Sequence, residues 1–507
     1  MRKFNLTVFA GMFALAAMFS GCSDDNGGSE SSYKMWDDNG ATACDHILFG
    51  ADGKDNPNGT VIGNGDQEFV FKGKQTLKKG TYTLKGWVYI GSGAELTIEP
   101  GTVIKGDKNS KASLVVEPGG KLIAQGSASE PIVFTSAQEA GKRRPGDWGG
   151  VVILGKARNN KGEMIVEGGL RTKHGGNDDA DNSGVLSYVR IEFAGYPFKA
   201  DQEINGLTLG SVGSGTKIDH VQVSYSNDDS YEWFGGDVNC KYLVAYKGWD
   251  DDFDTDNGFS GKVQFGLSVR DPRIADGSQS NGFESDNCSD GAQVTPYTAP
   301  VFSNITFVGP KTAADFVNEK DTYINGGEYF PNNGSALGKF QAGMHIRRSS
   351  RLNCVNSVIT DWPIGLILDG EKGDTPAQAS AGKLRLQNIY IANADIIGSD
   401  ANKCYEDKEY DYKTKTVKED SEMSLSHKFF VAQAGNKYFD DKAAMKLADG
   451  KGVGVPFMPQ AGSILFGAQN FDGLDSWFDA VGYIGAFAEG DTWLDGWTNF
   501  DPQNTKY

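Results

Sequence analysis

Three short segments follow one another at intervals of 21 residues: Val221-Gln222-Val223-Ser224-Tyr225, Tyr242-Leu243-Val244-Ala245-Tyr246 and Val263-Gln264-Phe265-Gly266-Leu267. In each, the first, third and fifth positions are apolar, the period-2 alternation of a half-buried strand. Related segments stand at Val189–Phe193 upstream and at Ile305–Phe307 and Asn388–Ile391 downstream. One strand recurring at near-constant spacing cannot bury its apolar row alone. Stacking the repeats about 4.8 Å apart lines those rows into one core, so the pattern predicts a solenoid. Nearer the start, Leu96–Ile104 and Leu114–Ile123 share a strand, Pro-Gly corner, strand cadence. Proline presets φ and glycine supplies a positive φ, so the chain turns there without a helix. Antiparallel hairpins would instead favour two-residue Asn-Gly or Asp-Gly turns between adjacent strands. The expected fold is all-β: a right-handed parallel β-helix with coils of about 21 residues and an irregular, partly helical C-terminal segment.

The chain opens differently. Arg2 and Lys3 precede a mostly apolar run from Phe4 to Phe19, closed by Ser20-Gly21-Cys22. That run is too short to span a bilayer and has the layout of a cleaved signal. Small residues before a cysteine resemble a lipobox, with Phe19 in place of the usual leucine, which makes Cys22 the expected lipidation site. The acidic Ser23–Asn26 stretch resembles a surface-export signal, and Asn26–Ser32 is a polar tether. The expected location is the outer membrane, anchored by lipid and facing the cell exterior. The expected organisation is a signal at 1–21, a tether and lead-in at 22–60, the β-helix at 61–395 and a capping segment at 396–507. Within the last part, Cys404–Glu422 is a charged insertion, and the aromatics from Phe471 to Trp497 are expected to cover an open end of the solenoid.

Composition narrows the function classes. Glycine is abundant (67 residues), and the formal charge is −18, or −20 once Arg2 and Lys3 leave with the signal. Such a surface repels nucleic acid and anionic headgroups and attracts divalent cations. Besides Cys22 there are Cys44, Cys240, Cys288, Cys354 and Cys404, with no Cys-x-x-Cys, so a zinc ribbon or dense disulfide framework is not expected. Export permits a bridge, with Cys354–Cys404 the favoured pair.

Several stretches together resemble a known family: LTIEPGTVIKGD from Leu96, GWDDDFDTDNGFSGKVQFG from Gly248, NGFESDN from Asn281 and GWTNFDPQN from Gly496. The chain is similar to Bacteroidota-type cell-surface lipoproteins with a pectin-lyase-like β-helix, over nearly everything from Lys72 to Tyr507. The resemblance implies fold and location and does not settle the activity.

Chemistry concentrates between Asn227 and Asp290. Nine acids against Lys241 and Lys247 occupy Asn227–Asp256 alone. At 21-residue spacing, Asp229, Asp250 and Asp271 fall at one point of consecutive coils, where adjacent carboxylates either protonate or recruit a cation. Oxygen-only ligands suit Ca²⁺. The expected ligands are Asp229, Asp250, Asp251, Asp252, Asp254 and Asp271, with Glu284 and Asp286 as further candidates. Tyr231, Trp233 and Trp249 sit among these acids, as sugar-stacking faces beside carboxylates would. The expected role is glycan binding or surface adhesion with a structural calcium. The alternative is a calcium-dependent polysaccharide lyase, drawing its base from Lys247, Lys262, Arg270 or Arg273, or a glycoside hydrolase using paired carboxylates.

Overall fold

A computed structural model describes residues 41–199, 202–319 and 338–507. Cys22, the signal and the acidic stretch after it lie outside the described residues. The described chain is a right-handed parallel β-helix. Its strands form a 12-stranded sheet and a 16-stranded sheet among the described residues, parallel from coil to coil except where Leu48–Phe49 meets Val61–Ile62. Early coils carry three strands each, as in Trp87–Ile90, Glu95–Ile98 and Val103–Gly106. The Pro-Gly corners are present, with Gly101 at φ 76° and Gly119 at φ 87°.

From Gly184–Glu192 onward the second and third strands of a coil merge into one bent strand. Lys121–Gln125 pairs with its first half and Ile132–Phe134 with its second. A single residue at positive φ makes the bend: Tyr188, His220, Tyr242, Phe265, Asn304, Asn356 and Asn388, one per coil and all in register. Asparagine tolerates this conformation, whereas other non-glycine residues give up about 1–2 kcal/mol. The aromatic members recover it by stacking outside the bend. Tyr188, His220, Tyr242 and Phe265 lie nearly parallel, with centroids 4.2, 4.4 and 4.9 Å apart in succession, each contact worth about 0.5–1.5 kcal/mol.

The pairing revises the repeat length. Val221 pairs with Leu243, and Leu243 with Gly266, steps of 22 and 23 residues rather than 21. Leu243 and Ala245 therefore face the interior, while Val244 and Tyr246 face outward. The outward set is apolar because it is covered too. Residues 470–507 run back along the outside of the 16-stranded sheet as a strap. Asn356 donates to the main-chain oxygen of Asn470, Gln264 to that of Asp479, Gln222 to that of Asn499 and Lys105 to that of Tyr507.

The aromatic finish expected at an open end thus lies along the side. Closure of the end falls to the helix Leu425–Ala432, whose Phe430 joins the interior core, and to Lys437–Phe439, which pairs with the last long strand. The expected Cys354–Cys404 bridge is absent. Cys354 is buried in the core against Ser357, its thiol pushed up to about 12 by burial, and both cysteines are free thiols. No helix among the described residues is long and apolar enough to cross a membrane.

Candidate functional site

Successive strands of the 12-stranded sheet place Leu207, Tyr231, Phe253, Phe283 and Met344 in one inward row. The pleat then turns the following residues outward, in the row Thr208, Glu232, Asp254, Glu284, His345. Two residues before the inward row, at the corner, the same register aligns Asn205, Asp229, Asp251 and Asn281. Asp228, Asp250 and Ser280 form the row beside it.

This register corrects the expected ligand stack. Asp229 sits over Asp251, not Asp250, because the coil step is 22 residues there and 30 in the next. Asp271 aligns with Gly248 and faces away, 3.9 Å from Lys247. Asp252 is fully buried and paired with Arg270 at 3.0 Å, so its charge is already balanced. Glu284 and Asp286 are ion-paired with Arg347, and Asp286 also with Arg348.

Among the described residues two trios remain, each able to bring one oxygen per residue within 4.8 Å of the others: Asp228, Asp229 and Asp250, and Asp229, Glu232 and Asp254. Asp228 and Glu232 were missing from the expected ligand set. Both lie within the acid-rich run, but the 21-residue spacing does not single them out; strand pairing sets Glu232 beside Asp254.

Burial, with help from neighbouring carboxylates, holds Asp229, Glu232, Asp250 and Asp254 well above the usual carboxylate range. Burial and Asp286 push Asp256 up to about 8. At an effective dielectric of about 20, two unit charges about 5 Å apart repel by about 3 kcal/mol, so these groups either keep protons or share a cation. Some of their oxygens await a partner: Asp250 Oδ1 and Asp254 Oδ1 are buried and accept no hydrogen bond.

Backbone amides fix the rest of the corner. The main-chain N–H of Asp251 donates to Asp229 Oδ1 at 2.8 Å, that of Asn281 to Asp251 Oδ1, and that of Ala342 to Asn281 Oδ1 at 3.1 Å. Arg270 anchors the turn from behind, donating to the main-chain oxygens of Asp250 at 2.6 Å and Trp249 at 3.1 Å.

The three expected sugar-stacking aromatics do not face the site. Tyr231, Trp233 and Trp249 are fully buried. Tyr231 and Trp233 occupy inward positions of the pleat, with Trp233 stacked on Phe259 at 5.3 Å and the Tyr231 hydroxyl donating to the main-chain oxygen of Val221 at 2.6 Å. The expected bases are elsewhere as well. Lys262 is 3.0 Å from Asp475 of the strap, Arg270 is buried, Lys247 lies beside Asp271, and Arg273 is exposed next to Asp271. The arginines on the acidic face are Arg347 and Arg348, which lie about 60 residues beyond Glu284 and Asp286 in sequence and reach them only through the sheet.

A family model described as a pectate-lyase-like beta helix domain matches residues 70–438. No curated protein and no solved structure matches the chain. With the greater part of its length matched, and with stacked parallel coils over most of the described residues of that span, the chain belongs to the pectate-lyase-like β-helix family.

Proposed function

We propose that this chain is a lipid-anchored surface protein whose β-helix binds carbohydrate on the outer face of the 12-stranded sheet, with Ca²⁺ held in the acidic corner beside that face. The carrying observation is the outward-turned row Glu232, Asp254, Glu284, His345, in which Asp254 and Glu284 are partly exposed beside Asp256, Arg347 and Arg348, while Glu232, His345 and Asp286 lie buried beneath them. Carboxylates and guanidinium groups of this kind hydrogen-bond sugar hydroxyls, and a cation among them adds an electrophile for acidic sugars. Membership of a pectate-lyase-like family supports a carbohydrate ligand. With Tyr231, Trp233 and Trp249 in the interior, recognition rests on polar contacts rather than on those rings.

The test is retention of the purified protein on immobilised neutral and uronate polysaccharides, in Ca²⁺ and in EDTA. Binding that Ca²⁺ strengthens is the expected result, and Glu284→Gln with Asp254→Asn should weaken it at least tenfold. Absence of binding to every polysaccharide in both conditions overturns the reading. Release of unsaturated uronate, or of new reducing ends, would replace binding by lyase or hydrolase action. Cys22→Ala should free the protein from membranes, and protease added to intact cells should cleave the wild type.

A further inference from the structure

Cys44, His46 and Asp55 are linked side chain to side chain at one edge of the 12-stranded sheet. The strand Thr42–Cys44 stands last in that sheet and pairs with Phe69–Phe71. His46 follows Cys44 at a spacing of two, which in extended chain turns both side chains to one side. The Cys44 Sγ lies 3.1 Å from His46 Nδ1 and 3.5 Å from Nε2. Nε2 in turn lies 2.6 Å from Asp55 Oδ1.

Local structure holds the three together. The main-chain N–H of Gly50 donates to the main-chain oxygen of Lys54 at 2.8 Å, and a bridge between Phe49 and Asp55 brings Asp55 back to the imidazole. Next to His46, the main-chain N–H of the buried Ile47 donates to Gln75 Oε1 at 2.9 Å. The His46 ring packs on that of Phe49, centroids 5.3 Å apart.

This arrangement sets the tautomer. An ionised carboxylate only accepts, so Nε2 carries the proton that faces Asp55, and Nδ1 turns its lone pair to the Cys44 S–H. A thiol beside a base that a third group orients is the pattern of an activated nucleophile. It is also within reach of solvent. Cys44 is half-buried, and the side chains of His46 and Asp55 are 27% and 68% exposed.

The other described cysteines lack this setting. Cys240, Cys288 and Cys354 are buried, and burial pushes their thiols up. Cys404 is half-buried like Cys44, but its thiol makes no hydrogen bond among the described residues.

We infer that Cys44 is a reactive thiol that forms mixed disulfides by exchange with small-molecule disulfides, with His46 as its base and Asp55 as the residue that positions the base. His46 Nδ1 takes the S–H proton as Cys44 Sγ attacks one sulfur of the disulfide. The new Sγ–S bond forms, the old S–S bond breaks, and the leaving thiolate takes the proton from Nδ1. Cys44 is oxidised and the departing half of the disulfide is reduced, so no further oxidant is needed.

The test treats the full chain, reduced and then freed of reductant, with dithiodipyridine at pH 7, a neutral disulfide that the acidic surface does not repel. Absorbance of the released thione gives the rate, and peptide mass mapping gives the site. Cys44 should react at least tenfold faster than Cys404, a comparison made within the wild type and independent of any variant. Cys44→Ser should remove the fast phase, and His46→Asn should slow it at least tenfold with an unchanged melting curve. Asp55→Asn should slow it less, and Asp55→Glu should recover most of the rate. Cys44 reacting no faster than Cys404, or at the same rate in His46→Asn, overturns the inference. An unchanged rate in Asp55→Asn overturns the role of Asp55.

Discussion

The guanidinium of Arg270 donates to the main-chain oxygen of Asp250 at 2.6 Å, so a buried cation holds the turn that carries the candidate ligands. Its charge is balanced by Asp252, itself held by Ser268. Arg270→Met would strand the Asp252 carboxylate in the interior and release the turn. Losing one partner of a buried pair costs about 3–5 kcal/mol. The expected outcome is a lower urea midpoint together with at least tenfold weaker Ca²⁺ binding. Replacing both residues, as Arg270→Met with Asp252→Leu, should restore much of the stability but not the Ca²⁺ affinity. Affinity that returns with stability would show that Arg270 does not position the turn.

The acidic corner sets the pH response. Asp229, Glu232, Asp250 and Asp254 titrate well above their unfolded values, and Asp256 is pushed up to about 8. Between the unfolded pKa near 4 and the folded value, the native state holds protons that the unfolded chain has released. Native stability without Ca²⁺ therefore falls as pH rises from about 4 to about 8, by up to about 1.4 kcal/mol per pH unit for each such group. Asp219 runs the opposite way: lowered to about 2, its contribution is complete above pH 4 and lost only on further acidification. Melting curves in EDTA should shift downward across that range, and the gain from millimolar Ca²⁺ should grow over it, since the ion binds the ionised native form. A Ca²⁺ gain that is constant from pH 4 to 8 would count against cation binding by these carboxylates.

Trp497 ties the strap to the bend ladder. It is fully buried, lies edge-on to Tyr188 and His220 at 6.0 and 5.6 Å, and its main-chain oxygen accepts from Arg190. Trp497→Ala should cost about 3–5 kcal/mol, the usual range for a large aromatic removed from a core. Limited proteolysis should then cut within residues 470–507 first. A change below about 1 kcal/mol in the urea midpoint would mean that the strap rests only loosely on the sheet.

The class of fold is legible along the chain. Recurring alternation, Pro-Gly corners and glycine abundance require stacked coils, because no single coil can bury its own apolar row. The sequence also marks the acid-rich run from Asn227 to Asp256, within which the carboxylate trios form. Register was decided only in three dimensions. Val244, Tyr246, Leu267 and Val269 are apolar because residues 470–507 cover them, so hydrophobicity did not distinguish the two faces of those strands. A slip of one residue turns every side chain to the other face. It put Asp250 where Asp251 belongs in the stack, and the 30-residue step of the next coil puts Asn281, not Asp271, over Asp251. The burial of Tyr231 and Trp233, and the arrival of Glu232, Arg347 and Arg348, follow from coil-to-coil pairing. Partners tens of residues apart meet at one strand spacing, a proximity that no local pattern encodes.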